Sequence, residues 1–235
     1  MIANKVYEEY KVSIDPKIIV SINSSFMKNY IIEHYYNLNK YAKKILNDYN
    51  NINVLKLSKK YDLSPVTIIK FIFEKKYNMK LNKITKNIKI LNDYDKKQLY
   101  TATSNDAYYT LDQTNQQQES INFEKKVEEF LIKNNIKYST QEQLTKEQIE
   151  KYGKPINTPD FLIESELSID GMKIHWIDAK NFYGANIRFI KNKIIKQTKK
   201  YIDTYGDGCI VFNLGHNEML KIDNVLCVSY QDILN

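Results

Sequence analysis

Residues 158 to 180, TPDFLIESELSIDGMKIHWIDAK, consist of two apolar runs around an Asp170-Gly171 pair. Taken as a hairpin, TPDFLIESEL and MKIHWIDAKN put Phe161, Ile163 and Leu167 on one face and Leu162, Ile174 and Trp176 on the other. Strands that are apolar on both sides belong inside a sheet covered by helices. The same pair carries Asp160 at the mouth of one strand and Asp178 and Lys180 at the end of the next. Charges in an apolar sheet are costly unless an ion pair or a metal ion satisfies them. A structural Asp178–Lys180 or Asp160–Lys180 ion pair would meet the cost. So would a cation such as Mg²⁺ held by two carboxylates, with the lysine positioning water for attack on phosphorus.

The loop length decides which of these the hairpin can build. With a two-residue Asp-Gly loop, Ile169 pairs with Met172 and Asp160 falls on the face away from Asp178 and Lys180. With a three-residue loop closed by Gly171 in the left-handed region, Ser168 pairs with Met172 and Asp160 sits opposite Lys180. The three charged groups then share one face, and the site reading requires that outcome or a bulge that restores the register.

Charge is divided unevenly along the 235 residues. Residues 1 to 100 hold 19 Lys against 9 acids, a net of +10, whereas residues 101 to 235 have a net of −3. A polyanion-binding module joined to a second domain fits this asymmetry. Richness in Lys, Asn, Ile and Tyr also suits an AT-rich genome, which would explain the lysine content but not its distribution. The polar stretch 101–118, TATSNDAYYTLDQTNQQQ, reads as a linker between a helical domain at 1–100 and a second domain at 119–235. No run approaches the ~20 apolar residues of a membrane span, and MIANKVYEEYK lacks a signal-peptide core, so a nuclear or cytoplasmic protein is expected. Cys209 and Cys227 lie in apolar, strand-like runs and read as reduced core thiols.

In the first half, NVLKLSKKYDLSPVTIIKFI (53–72) has the shape of a helix-turn-helix. Val54, Leu57 and Tyr61 keep helical spacing, Asp62-Leu63 turns the chain, and Ser64 caps a second helix with Pro65 at its first position. That second helix offers Val66, Ile69 and Phe73, so burial suits it better than base reading. Nucleic-acid contact would then fall to the surrounding Lys59, Lys60 and Lys70. The flanking segments also look helical, and His34 among its aromatics reads as a packed histidine.

In the second half, Phe123, Val127, Phe130 and Leu131 form one helical stripe. Glu124 lies at its border, about 75° from its centre at ~100° per residue, where a carboxylate can look into a cleft. After the hairpin, residues 185–208 form a helix whose stripe of Ile187, Ile190, Ile194 and Tyr201 is interrupted by Gln197. A buried amide needs partners. The other arc carries Arg188, Lys193, Lys196, Lys199 and Lys200, with no acid between Asp178 and Asp203, and could hold a phosphate backbone. GCIVFNL and NVLCVSY supply two strands that complete the sheet.

Pro159-Asp160 and Asp178-Ala179-Lys180, preceded by a helix bearing Glu124, resemble the PD-(D/E)XK nuclease pattern. Thr158-Pro159-Asp160 with Ile174-His175-Trp176-Ile177 resembles, more narrowly, the TPD-motif family that includes the codanin-interacting nuclease. Gln197-x-x-x-Tyr201 is similar to an element found beside many active sites of that superfamily. The resemblance spans residues 30 to 220 and implies a helix-turn-helix-like all-α domain followed by an α/β domain, a restriction-endonuclease-like mixed sheet flanked by helices. It implies Mg²⁺- or Mn²⁺-dependent phosphodiester hydrolysis, in DNA before RNA. Asp160 and Asp178 would be metal ligands, Glu124 would complete the shell directly or through water, and Lys180 would orient water or stabilise charge. Gln197 and Tyr201 would support the site, and a codanin-like protein would be a partner. The family usually has glutamate where Asp178 stands, so the shorter side chain here points to an altered metal preference.

Overall fold

The structure is a computed structural model that describes residues 15–106 and 113–233, without the side chains of 34–37 and 113–116. It is α/β. Two compact units are present, one spanning Tyr30–Asp112 and the other joining the segment that ends at Asn29 to the chain from Gln113 onward. No helix among the described residues is long and apolar enough to cross a membrane.

The chain from Gln113 builds a five-stranded sheet in the order β1-β2-β5-β6-β7 from Tyr138–Thr140, Phe161–Ile163, Trp176–Lys180, Gly208–Phe212 and Val225–Ser229. β1, β2 and β5 run antiparallel, whereas β5, β6 and β7 run parallel. Each parallel step needs a crossover. The helix α9 (Arg188–Tyr205) supplies the one between β5 and β6. Alternation along β5 and β6 then sorts two cores. Helix α7 (Gln113–Lys133) brings Phe123, Val127 and Leu131 to the face made by Phe161, Ile163, Ile177, Ala179, Cys209 and Val211. α9 brings Ile190, Ile194 and Tyr201 to the other face, with Trp176, Ile210 and Phe212. Gly208 is required by this second core, because a Cβ there would lie 2.0 Å from the Trp176 indole. A short helix, α8 (Gln141–Tyr152), follows β1 and opens with a capping box between Thr140 and Gln143.

Of the two loop lengths open to the hairpin, it takes the shorter, the one that needs a bulge to keep the site together. Ile169 pairs with Met172 across Asp170 (φ 51°) and Gly171 (φ 78°), a two-residue turn joining the short strands β3 (Ser168–Ile169) and β4 (Met172–Lys173). These strands form a separate ribbon. Deeper in the sheet the register is Phe161↔Ile177 and Leu162↔Trp176, so residues 164–167 on the first strand bulge past Ile174 and His175 on the second. Backbone hydrogen bonds from Ile163 to His175 O (2.8 Å) and from Ile174 to Leu167 O (2.9 Å) fix the two ends of this irregularity. The register shift is odd, so it flips the faces once and restores the arrangement that a two-residue loop alone would have destroyed. Ile174 is a casualty of the same shift: it packs with Phe161 and Phe123, not with Trp176 as expected.

The helical unit comprises the end of α1 (Pro16–Lys40), then α2 (Ala42–Tyr49), α3 (Val54–Tyr61), α4 (Pro65–Tyr77), α5 (Leu81–Lys86), a 3-10 turn and α6 (Asp93–Ser104). Asn53 and Ser64 cap α3 and α4, and Asp62 in the left-handed region turns the chain between them. α4 buries Val66, Ile68, Ile69, Phe71, Ile72 and Phe73, so it is the hub of the unit. Its first N–H groups are met by the Asp106 carboxylate at Val66 N (3.0 Å), as Gln98 meets Val54 N of α3 (2.8 Å). Asp95 is fully buried, yet accepts from Tyr49 (2.7 Å), Lys76 (2.6 Å) and Tyr77. Burial alone would raise its pKa, but these donors outweigh burial and hold it below the ordinary value.

Helices enter the stretch expected as a linker from both sides: α6 ends at Ser104 and α7 begins at Gln113, with 107–112 outside the described residues. The beginning of α1 is tied to the α/β unit through Tyr183 N–H to Ser21 Oγ (2.9 Å), which accounts for the segment before Tyr30 joining that unit. The side chain of His34 lies outside the described residues.

Candidate active site

Continuing the β2–β5 register by one residue sets Asp160 against Asp178, two positions from the expected Lys180 partner but on the expected face. Asp160 leans toward the neighbouring strand, where Oδ2 accepts from Ala179 N–H (2.7 Å), and its carbonyl accepts from Gln141 N–H (3.0 Å). Burial, and then the Asp178 charge opposite, push the Asp160 carboxyl up to about 7. Asp178 is 1% exposed. Its Oδ1 accepts from Gln197 Nε2 (3.1 Å), and its Oδ2 lies against the Lys180 ammonium without a well-aligned hydrogen bond.

Gln197 and Tyr201, one turn apart on α9, act as a pair. The Gln197 amide donates to both Asp178 and the Tyr201 hydroxyl (3.2 Å), which in turn donates to Thr158 O (3.4 Å). Burial pushes the Tyr201 phenol up to about 12, so it remains a neutral donor. The amide that interrupts the apolar stripe therefore finds its partners in the carboxylate site.

Glu124 stands apart from this pair. No hydrogen bond joins it to them among the described residues, but it is near enough for its charge and those of Asp178, Asp160 and Lys180 to act on one another. Burial, and then the Asp178 charge, raise its pKa. Among the described residues no group of three or more His, Cys, Asp or Glu side chains is arranged to hold a metal ion. His175, expected to face away from Asp178, packs at the end of α9, with its backbone N–H on Asp207 O (2.9 Å) and Nδ1 3.2 Å from the same oxygen.

Beside the pair runs a groove of about 340 Å³ lined by Ile156, Asn157, Thr158, Lys193, Lys196, Gln197, Lys200 and Tyr201. Three of the five cations expected on α9 line it. Arg188 and Lys199 are exposed on the helix's outer arc, about 180° and 160° from Gln197 at ~100° per residue. Lys59, Lys60 and Lys70 are exposed in the helical unit, where Lys60 is paired with Asp48 (2.6 Å).

A set of residues not singled out in the sequence holds the Thr158-Pro159-Asp160 segment. Gln148 of α8 accepts from Ile156 N–H (2.6 Å) and Asn157 N–H (3.0 Å) and donates to Asn157 O (2.6 Å). Tyr205 donates to Asn157 O (2.8 Å), and Gln141 donates to Thr158 O (3.1 Å). The Thr140-x-x-Gln143 capping box was the sequence signal that a helix starts here.

Comparison with known proteins agrees with the motif. An uncharacterized protein of Acanthamoeba polyphaga mimivirus is 29% identical over 120 residues, 49% of this chain and 42% of the viral one, so this chain spans less than half of that relative's length. No solved structure matches. The model of the family described as "Protein of unknown function TPD sequence-motif" matches residues 91–231, which include the carboxylate pair, Lys180 and α9, and the chain belongs to the TPD sequence-motif family.

Proposed function

We propose that the protein is a metal-dependent nuclease of the PD-(D/E)XK type that hydrolyses phosphodiester bonds, in DNA before RNA. The observation that carries the reading is Asp160 set against Asp178, with Lys180 and Gln197 on the same carboxylate and a lysine-lined groove alongside. The residues fit Mg²⁺ or Mn²⁺. Asp178 Oδ2 is a buried oxygen that faces the Lys180 ammonium without a sound hydrogen bond, Asp160 is a carboxyl pushed up by burial and then by its neighbour's charge, and hard oxygen donors suit both ions. Asp160 and Asp178 would hold the ion, and Glu124 of α7 would complete its shell directly or through water. When bound, the ion supplies positive charge at the phosphate and acidity for water. Lys180 has two roles in this reading. It neutralises Asp178 in this structure, and its ammonium would orient the attacking water or stabilise charge on the phosphate were an ion to meet that carboxylate. Gln197 and Tyr201 keep the Asp178 carboxylate aimed.

The helical unit would aid substrate binding as a helix-turn-helix-like module. α4 leaves only a narrow strip with Lys70 exposed, so its contacts would be with phosphates and would not read bases. A second reading, a non-cleaving nucleic-acid-binding or adaptor module on a nuclease fold, is favoured by the Lys180 ammonium already satisfying Asp178 and by the two-carboxylate donor set.

Labelled single-stranded, duplex and branched DNA and RNA incubated with the full chain and Mn²⁺ separate the two. The nuclease reading expects cleavage by the wild type and none by Lys180→Ala or Asp178→Asn. Absence of cleavage on every substrate, with no Mn²⁺-dependent thermal shift that requires Asp178, would sink it in favour of the second.

A further inference from the structure

Three features of the groove beside the carboxylate pair point to one class of ligand. The first is charge. Lys193, Lys196 and Lys200 converge on the groove from one arc of α9, its lining holds no carboxylate, and none of the three makes an ion pair among the described residues. Positions i, i+3 and i+7 lie in a row about 10 Å long at ~1.5 Å per residue, which suits consecutive phosphates of one strand. Surface lysines usually face solvent singly. Three that line one concave surface with no acid among them keep it positive.

The second feature is size. A space of about 340 Å³ falls at the small end of the ~300–1,000 Å³ typical of sites for single small molecules. Its interior suits about one base at a time, with the backbone of the strand running along the lysine row at its edge.

The third feature is exposed apolar surface at the groove. Ile156, which lines it, is 49% exposed, and Tyr152 at the end of α8 is 52% exposed. Tyr152 stands one turn after Gln148, whose amide donates to Tyr205 (3.3 Å) and to the Asn157 carbonyl that borders the groove. An exposed aromatic and an aliphatic side chain thus stand beside the lysines as an apolar ledge. Base faces stack on such ledges while lysines follow the backbone, but only an unpaired base offers its face.

We propose that this groove binds a single-stranded stretch of polynucleotide, with phosphates on Lys193, Lys196 and Lys200 and unpaired bases against Ile156 and Tyr152. Gln197 lines the groove and donates to Asp178, so a strand seated there runs directly to the carboxylate pair. The inference rests on the nuclease reading for the role of that pair, and it makes the enzyme one that acts on single strands, overhangs or flaps.

Binding measured without metal tests the two ideas separately. Fluorescein-labelled oligothymidylate and a blunt duplex of equal length, on the order of 15 nucleotides, are titrated with the full chain in chelator while anisotropy is read. Oligothymidylate should bind at least about tenfold more tightly, the size expected for stacking of one base. The triple variant K193A/K196A/K200A should lower the slope of log affinity against log salt by about 2, at ~0.7 per lost phosphate contact on a single strand. Tyr152→Ala should weaken the single strand and leave that slope unchanged. Lys173→Ala with Lys221→Ala, which removes two exposed lysines away from the groove, is the charge control and should leave single-strand affinity within about twofold. Trp176 emission confirms that each variant is folded. Duplex bound as tightly as the single strand, or a control variant as impaired as the triple one, overturns the groove assignment. Single-strand preference without any Mn²⁺-dependent cleavage overturns the nuclease reading alone. Cleavage that is indifferent to the groove lysines overturns the groove alone.

Discussion

Replacing Asp160 with Asn should make the metal-free protein more stable at pH 8, less so at pH 5, and leave it nearly unchanged below about pH 4. The Asp160 carboxyl titrates near 7 in the fold against an ordinary value of 3.8, because burial and the opposing Asp178 disfavour its charge. A carboxyl with a raised folded pKa keeps its proton in the native state while the unfolded chain has lost it, so stability falls as pH rises between about 4 and 7. Three pKa units at ~1.4 kcal/mol each set an upper bound of about 4 kcal/mol on that loss, and the nearby Lys180 reduces it as the two carboxylates share its charge. Asn has nearly the same shape, can still accept the Ala179 N–H through its carbonyl oxygen, and carries no charge. It should therefore remove the part of the wild type's pH dependence that Asp160 contributes above about pH 4. Trp176, the only tryptophan, is fully buried against α9, so its emission reports the unfolding of this unit and not of the helical one. Thermal or urea unfolding in chelator should show the Asn variant melting higher at pH 8, by ~2–4 °C for each kcal/mol. Mn²⁺ should stabilise the wild type at pH 8 and have little effect on the variant. A stability gap between the two proteins that stays the same from pH 5 to 8, or an Asn variant that melts lower at pH 8, would show that Asp160 pairs with Lys180 and is not opposed by Asp178.

Gly208→Ala should cost about 1–3 kcal/mol by overpacking the Trp176 indole, seen as a lower midpoint and a shifted tryptophan emission maximum; an unchanged midpoint would contradict the close approach at that glycine. In the helical unit, Tyr49→Phe removes one of the donors that keep buried Asp95 charged and should cost about 1–3 kcal/mol, read by faster amide exchange confined to residues 30–106. The depressed Asp95 pKa means that this contribution is present above its ordinary value of 3.8 and is lost as pH falls through the lower folded value, so wild type and Tyr49→Phe should converge in strong acid.

Much of this chain was legible locally. Apolar runs on both sides of Asp170-Gly171 required a covered sheet, the Ser64-Pro65 cap placed α4, and an amide inside an apolar stripe marked Gln197 before any partner was known. The two terminal apolar strands also fell where they were expected. Caps, turn residues and hydrophobic periods act within a few residues, so the sequence states them directly. Register is different. The turn chemistry of Asp170-Gly171 favoured a two-residue loop that would have split Asp160 from Lys180, and only the packing of residues 164–167 past Ile174 returned them to one face. The choice of Lys193, Lys196 and Lys200 over Arg188 and Lys199, and the Gln148 and Tyr205 hold on Asn157, were likewise tertiary outcomes. Each depends on which layer a helix joins and which loop it meets across tens of residues, and those choices are settled by burial summed over the whole core, which no short stretch of sequence contains.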